Sequence, residues 1–311
     1  MIDQFVWVEK YRPKRLSDVI LPEKIKEKLQ KLLDSNDIPN LIFSGSSGCG
    51  KTTVAKAMLE ELGCDYMMIN GSMERNIDTL RVKIKEFASS VSLSGGRKYV
   101  IIDEADYLNL HSTQPALRNF MEEYSRNCGF ILTCNYVNRI LEPLRSRCSS
   151  IDFAIPKDEK QDIIVQFFKS AKSILDQENV QYEQKTLAMV LEKHFPDFRK
   201  TLNELQYHSS TGELKADSVK SYTENYKKLF GLLKAKNFTE MRQWVTENND
   251  IHAETLFDTI FSLSDEYIES SSVPQLVLIL ADYQYKQAFV SNVEINVVAC
   301  LTEIMAGVVF K

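Results

Sequence analysis

The chain has 311 residues, of which 44% are hydrophobic and 26% charged, a mixture that excludes a disordered or collagen-like protein and leaves room for two or three domains with cores of their own. Lys and Arg number 38 against 43 Asp and Glu, a formal charge of -5, so no global basic footprint announces nucleic acid and any DNA site must be a local basic face. The longest apolar stretches, Leu276–Ala281 and Ile304–Phe310, fall far short of the roughly 18 residues of a membrane-spanning helix, and the N-terminus has neither a signal nor a transit pattern, which makes the cytoplasm the expected compartment.

From residue 38 to 153 short apolar runs alternate with helical stretches: Leu41-Ile42-Phe43, Tyr66 to Ile69, Tyr99 to Ile102, Phe130-Ile131-Leu132 and Ile151 to Phe153. That alternation predicts an α/β domain, a parallel five-stranded sheet covered by helices on both faces. Between the second and third runs, Leu80, Ile84, Phe87, Ala88 and Val91 keep helical spacing, which predicts a crossover helix with Arg81 and Lys85 together on another part of its surface. Pro156 ends the β pattern, and Asp158 to Ser173 reads as an amphipathic helix with Ile163, Ile164, Phe167 and Phe168 inward. Beyond it no period-two run is convincing. Loop signals at Ser209 to Gly212 and Ser270 to Pro274 punctuate helical segments, so the expected domains are an α/β unit over 1–155, a small helical unit over 156–215 and an all-α bundle over 222–311.

Six cysteines form no C-x-x-C pair and four histidines are scattered; no zinc signature is spelled, and buried free thiols are the expectation. The strongest signal is Gly45-Ser46-Ser47-Gly48-Cys49-Gly50-Lys51-Thr52, a complete G-x-x-x-x-G-K-[ST] between an expected strand and an expected helix. Its glycines let the backbone curl around phosphate oxygens, the helix start attracts the anion, Lys51 reaches the terminal phosphates and Thr52 offers a hydroxyl to Mg²⁺. The strand Tyr99 to Ile102 then ends in Asp103-Glu104, at the edge where an open α/β sheet places ligand chemistry. Asp103 is the expected Mg²⁺ ligand and Glu104 the carboxylate that polarises the attacking water, because phosphoryl transfer asks the protein mainly for positioning and charge. At the end of the next strand Asn135 supplies an amide within reach of the γ-phosphate or its water. Composition leaves Arg147 and Arg199 unassigned, each an ordinary surface arginine or a guanidinium that stabilises the transferring phosphoryl group.

Taken in order, the P-loop, Asp103-Glu104, Asn135, Ser146-Arg147-Cys148 and Arg199 resemble the AAA+ ATPases of the sliding-clamp loader. Trp7-Val8-Glu9-Lys10-Tyr11-Arg12-Pro13, with Leu16 and Asp18, is similar to that family's opening signature. Phe195-Pro196-Asp197-Phe198-Arg199-Lys200-Thr201 resembles its T-even-type bacteriophage branch in particular, a relative of the replication factor C small subunits. The resemblance spans the whole chain and implies an AAA+ P-loop domain, a helical lid and a C-terminal collar for oligomerisation. It implies that Val8, Glu9, Lys10, Tyr11 and Ile20 line an adenine pocket and that Gly48, Cys49, Gly50, Lys51, Thr52 and Thr53 hold the phosphates. Asn135 would be the γ-phosphate sensor, Arg199 the lid sensor acting in cis, and Arg147 a finger inserted into the next subunit's ATP. It further implies partners: copies of this chain with a different small subunit, four plus one, a sliding clamp, and primer-template DNA bound without sequence preference. Arg75, Arg81, Lys83 and Lys85 are the DNA candidates, and Gln114 and Arg118 the residues that couple DNA to ATP.

Asp103-Glu104-Ala105-Asp106 also spells a helicase box, but such helicases need a second ATPase-like domain, and only helices are expected after residue 156. A nucleotide-gated scaffold that does not turn ATP over is disfavoured by the presence of Glu104, Lys51 and Arg147. An AAA+ helicase loader or replication initiator is the alternative; an initiator would show a dedicated duplex-reading domain, and none is visible.

Overall fold

The computed structural model describes residues 6–74, 77–92, 96–209, 213–214, 216–248, 253–287 and 289–311. The chain divides into two compact units, residues 1–216 and 217–311.

In the first unit α1 (Trp7–Lys10) and α2 (Glu23–Asp34) precede β1 (Leu41–Ser44), and then α3 (Lys51–Glu61), β2 (Tyr66–Asn70), α4 (Ile77–Ser89), β3 (Lys98–Asp103), α5 (Thr113–Glu123), β4 (Cys128–Cys134), α6 (Glu142–Arg145) and β5 (Ser149–Asp152) follow. The five strands are parallel in the order β2-β3-β4-β1-β5. Alternate residues serve opposite faces. Leu41, Phe43, Tyr99, Ile101 and Ile131 pack with Ile25 and Leu29 of α2 and Val54 and Met58 of α3, whereas Ile42, Val100, Ile102, Phe130 and Leu132 pack with Leu80 and Ile84 of α4 and Leu117 and Phe120 of α5. Each such fully buried side chain contributes about 1.5–3 kcal/mol of transfer energy. With both faces covered, the strands read as continuous apolar runs rather than as alternation. Because β1 lies between β4 and β5 while β2 lies at the far edge, the strand order reverses beside β1, and the carboxyl ends of β1, β3 and β4 open there.

After β5 the unit continues with α7 (Lys160–Gln177), β6 (Gln181–Tyr182), α8 (Gln184–His194), α9 (Phe198–Ser209) and β7 (Glu213–Leu214). The second unit holds α10 (Ala216–Lys234), α11 (Phe238–Glu247), α12 (Ala253–Ser262), α13 (Ser264–Tyr267), α14 (Val273–Gln287) and α15 (Val293–Gly307), around a core that includes Tyr226, Phe230, Trp244, Phe257, Leu276 and Leu301. Asn237 and Asn292 cap α11 and α15, each accepting the backbone N–H three residues on. Among the described residues, no helix is long and apolar enough to cross a membrane.

Several local expectations need correction. The crossover helix stops at Ser89, and Val91 is 90% exposed. The reason lies in the next strand: buried Lys98 places its ammonium on the Phe87 carbonyl at 3.1 Å and the Ser90 hydroxyl at 2.6 Å, a cation at the negative end of α4. Helix α7 begins at Lys160 and runs to Gln177, and its buried stripe is Ile163, Phe167, Ala171 and Ile174, with Ile164 and Phe168 only half-buried. The β pattern does not end outright, since β6 and β7 pair in parallel through Gln181 with Glu213 and Tyr182 with Leu214. Strands of two residues carry no period that sequence could reveal. Ser270 to Pro274 is not loop throughout, because α14 starts at Val273 and takes Pro274 into its first turn. All the cysteines are free, but Cys64 and Cys148 are only half-buried.

Candidate active site

Three strand ends and one helix start build the site. Where β1 stops at Ser44, the chain turns through Gly48 at φ 72° and Gly50 at φ 96° into α3. A Cβ on Gly48 would lie 1.9 Å from Oδ1 of Asp197, so the left-handed turn and the close approach of the loop before α9 both require glycine. The N–H of Phe198 also donates to the Gly48 carbonyl at 3.2 Å. Around Gly50 a Cβ would meet nothing within 4 Å, which leaves the start of α3 open as an anion cradle.

Lys51 is 8% exposed and donates to the carbonyls of Gly45 at 2.8 Å and Ser46 at 2.7 Å and to Oδ1 of Asn135 at 2.9 Å. Every one of these acceptors is neutral. The Thr52 hydroxyl donates to Oδ1 of Asp103 at 2.6 Å, and the Thr133 hydroxyl donates to the same oxygen. A hydroxyl and a carboxylate side by side form the hard-oxygen set that Mg²⁺ takes when most of its remaining shell is phosphate and water. Glu104 follows at φ 55°, with its N–H on the Thr133 hydroxyl at 3.2 Å, so the turn after β3 is fixed against the end of β4. Asn135 donates its backbone N–H to Oδ2 of Asp106 at 3.2 Å, and Asp106 is 6% exposed. Burial pushes the Cys134 thiol up to about 11 and raises that of Cys49, so both stay protonated and hydrophobic at neutral pH.

These groups line one cleft, which Val8, Tyr11, Arg12, Pro13, Asp18, Val19 and Ile20 close on one side and Phe167, Ser170, Ile174, Phe198, Arg199 and Leu202 on another. The cleft gathers Val8, Tyr11 and Ile20 with Gly48, Cys49, Gly50, Lys51, Thr52, Thr53, Asp103, Glu104, Asn135 and Arg199. It does not gather Glu9, which pairs with Arg12, or Lys10, whose ammonium lies 2.5 Å from Glu178. Arg147 is also outside it, donating to Glu122 at 2.8 Å and to the Pro143 carbonyl at 2.7 Å.

On α4, Arg81 lies 3.6 Å from Asp78 and Lys83 pairs with Glu74, while Lys85 is exposed on the Arg81 side. Arg75 lies outside the described residues. Gln114 is fully buried in the first turn of α5. Its amide donates to the Arg139 carbonyl at 2.9 Å and its oxygen accepts from the Leu141 N–H at 2.8 Å, tying α5 to the segment that leads into α6 and Arg147. Arg118 is exposed and bonds Asn119 at 3.3 Å.

Thr133, Asp106 and the apolar wall of α7 and α9 carry no signal of this site in the sequence. Asp106 stands there only as the fourth letter of a helicase-like box, and nothing in sequence brings residues near 170 to a loop near 48.

Comparison with known proteins accords with this geometry. A profile described as "ATPase family associated with various cellular activities (AAA)" matches residues 41–155, and one described as "Sliding-clamp-loader large subunit, AAA+ ATPase lid domain" matches 159–219. The chain is 32% identical to the sliding-clamp-loader large subunit of Escherichia phage RB69, over 97% of this chain and 96% of that one. It is 38% identical to that of Enterobacteria phage T4, over 76% and 74%, and 34% identical to the replication factor C small subunit of Archaeoglobus fulgidus, over 88% and 84%. A solved structure titled Thermotoga maritima RuvB Holliday junction branch migration motor, 18% identical over 79% of this chain and 87% of that one, shares the fold at a TM-score of 0.53. A nucleotide cleft built at the switch point of a parallel sheet, a lid that reaches the P-loop, and relatives matched along nearly the full length establish that the chain belongs to the AAA+ ATPases of the sliding-clamp loader.

Proposed function

We propose that this ATPase uses ATP binding at subunit interfaces to hold a sliding clamp open, and that primer-template DNA then triggers hydrolysis, which releases the loader. The observation that carries the reading is the position of Arg147. The cleft has a cation, a carboxylate pair, an amide sensor and a lid arginine, yet the arginine of Ser146-Arg147-Cys148 points to Glu122 of its own subunit, away from them. A guanidinium from a neighbouring subunit adds to Lys51 and Arg199 the charge that the transferring phosphoryl group needs, and fingers of this kind are worth about 10³ to 10⁵ in rate. Hydrolysis is therefore a property of the ring.

Within the cleft Lys51 and the start of α3 bind the β- and γ-phosphates, Asn135 senses the terminal one, Arg199 reports it to the lid, and Glu104 orients the attacking water. Thr52 and Asp103 would hold Mg²⁺, which would supply positive charge to offset that developing on the leaving group. Val8, Tyr11 and Ile20 take the adenine. The chain is laid out as AAA+ domain over 1–155, lid over 156–215 and collar over 222–311, and it assembles as four copies with one different small subunit in the cytoplasm, that of the host if the gene is carried by a phage. Arg81 and Lys85, on one side of α4, face the DNA backbone, and Gln114 with Arg118 relays its presence.

Steady-state ATPase of the chain with its small subunit, with and without primed DNA and clamp, tests this. Joint stimulation is expected, and Arg147→Ala is expected to keep ATP affinity while losing that stimulation. Normal stimulation in the variant would sink the finger assignment; turnover indifferent to the clamp would sink the function.

A further inference from the structure

We infer that Glu178 is a positioning residue of the nucleotide site, a lid carboxylate that holds Lys10 and Tyr11 and so fixes the Tyr11 ring as one wall of the base pocket. The inference rests on the reading that the base of ATP lies against Val8, Tyr11 and Ile20.

The Tyr11 hydroxyl donates to Oε1 of Glu178 at 2.6 Å, and the Lys10 ammonium donates to the same oxygen at 2.5 Å. Residues 10 and 11 lie 168 and 167 positions from it, so the bond joins the first segment of the chain to the lid. A second tie runs in parallel: the Trp7 N–H donates to Oε1 of Gln206 on α9 at 2.9 Å. Tyr11 lines the cleft; Glu178 does not.

The carboxylate is itself fixed. Glu178 is the C-cap of α7, where Asn179 takes φ 55° and the N–H groups of Asn179 and Val180 return to the carbonyls of Asp176 and Leu175. This is a Schellman end, and it presents Glu178 one turn beyond Ile174, which lines the same cleft as Tyr11. Lys10 lies at the negative end of α7, where a cation is favoured. The hydrogen bonds from Lys10 and then Tyr11 outweigh desolvation and hold the Glu178 carboxyl below its ordinary range. A lid that moves therefore carries Tyr11 with it, and base contact responds to lid position.

Calorimetric titration of the full chain with MgATP and, separately, with inorganic tripolyphosphate tests this on the wild type, Glu178→Ala and Glu178→Gln. Glu178→Ala is expected to raise the Kd for ATP about fivefold, the effect of one side-chain hydrogen bond of ordinary net strength, and to leave tripolyphosphate unchanged. In the assembled, DNA- and clamp-stimulated complex, KM rises with kcat preserved. Glu178→Gln keeps an acceptor for Tyr11 without a charge for Lys10 and falls between. Unchanged ATP affinity in Glu178→Ala overturns the inference, and so does a parallel loss of tripolyphosphate binding, which marks a loosened lid. A wild type that binds ATP no better than tripolyphosphate overturns the base pocket itself, and that failure is visible without any variant.

Discussion

Lys51 shows how a single residue can be read in energetic terms. The residue is 8% exposed, and its ammonium rests on neutral oxygens of Gly45, Ser46 and Asn135. A buried charge without a countercharge is costly, so the loop is held in readiness for an anion, and bound triphosphate supplies the missing partner. Lys51→Met should therefore bind ATP at least about 100-fold more weakly, as expected when a buried ionic interaction of roughly 3 kcal/mol is removed, with an unchanged or raised melting temperature. Calorimetry and thermal melting read the two quantities separately; a melting temperature lowered by many degrees with ATP affinity intact would contradict the assignment. Arg147 presents the opposite case. Its side chain and that of Glu122 are 35% and 54% exposed, and exposed pairs contribute little. Handing the guanidinium to a neighbour costs this subunit almost nothing.

At the scale of elements, the lid is tied together by one half-buried carboxylate. Glu204 of α9 accepts from Lys193 at 3.0 and 3.1 Å, contacts His194, and lies 3.8 Å from His208. Burial raises its carboxyl, but hydrogen bonding and charge from His194 and Lys193 prevail and bring it down to about 2. The depressed value makes its contribution present above the unfolded carboxylate range and lost as pH falls from about 5 toward 2, by roughly 2–3 kcal/mol. Glu204→Gln should lower the denaturant midpoint at pH 7 and reduce the acid dependence of stability over that window; equal acid dependence in the two proteins would refute it. Sequence made some of these elements legible and not others. The central strands stood out because both faces of the sheet are buried, so β3 and β4 carry the apolar runs Tyr99–Ile102 and Phe130–Leu132. The P-loop stood out because its chemistry needs glycines at set places. The Glu204 cluster and the Glu178 tie did not, because a charged residue on a helix reads as solvated surface until folding shows what faces it. Nor does sequence show which way Glu9 and Lys10 turn. A four-residue helix turns only some of its side chains to the cleft, and here Val8 and Tyr11 take that face while Glu9 and Lys10 turn to Arg12 and Glu178.

At the scale of the molecule, a chain with a formal charge of -5 repels a polyanion on average, so DNA-triggered turnover demands that a few cations outweigh the rest at short range, where the Debye length of about 8 Å at physiological salt lets local charge dominate. Helix α4 offers such a place. Arg81 is 3.6 Å from Asp78, an exposed pair with little to lose, and Lys85 shares its side of the helix, whereas Lys83 is engaged with Glu74. Phosphate contacts from Arg81 and Lys85 would be independent of sequence and sensitive to salt. Replacing both by alanine should raise the primed-DNA concentration needed for half-maximal ATPase stimulation and flatten the log–log salt slope by about 0.9 for each phosphate that is no longer neutralised. ATP affinity and DNA-independent turnover should stay as they are, because neither residue lines the cleft. A variant with weaker stimulation but an unchanged salt slope would place the DNA on another face and leave α4 a solvated helix.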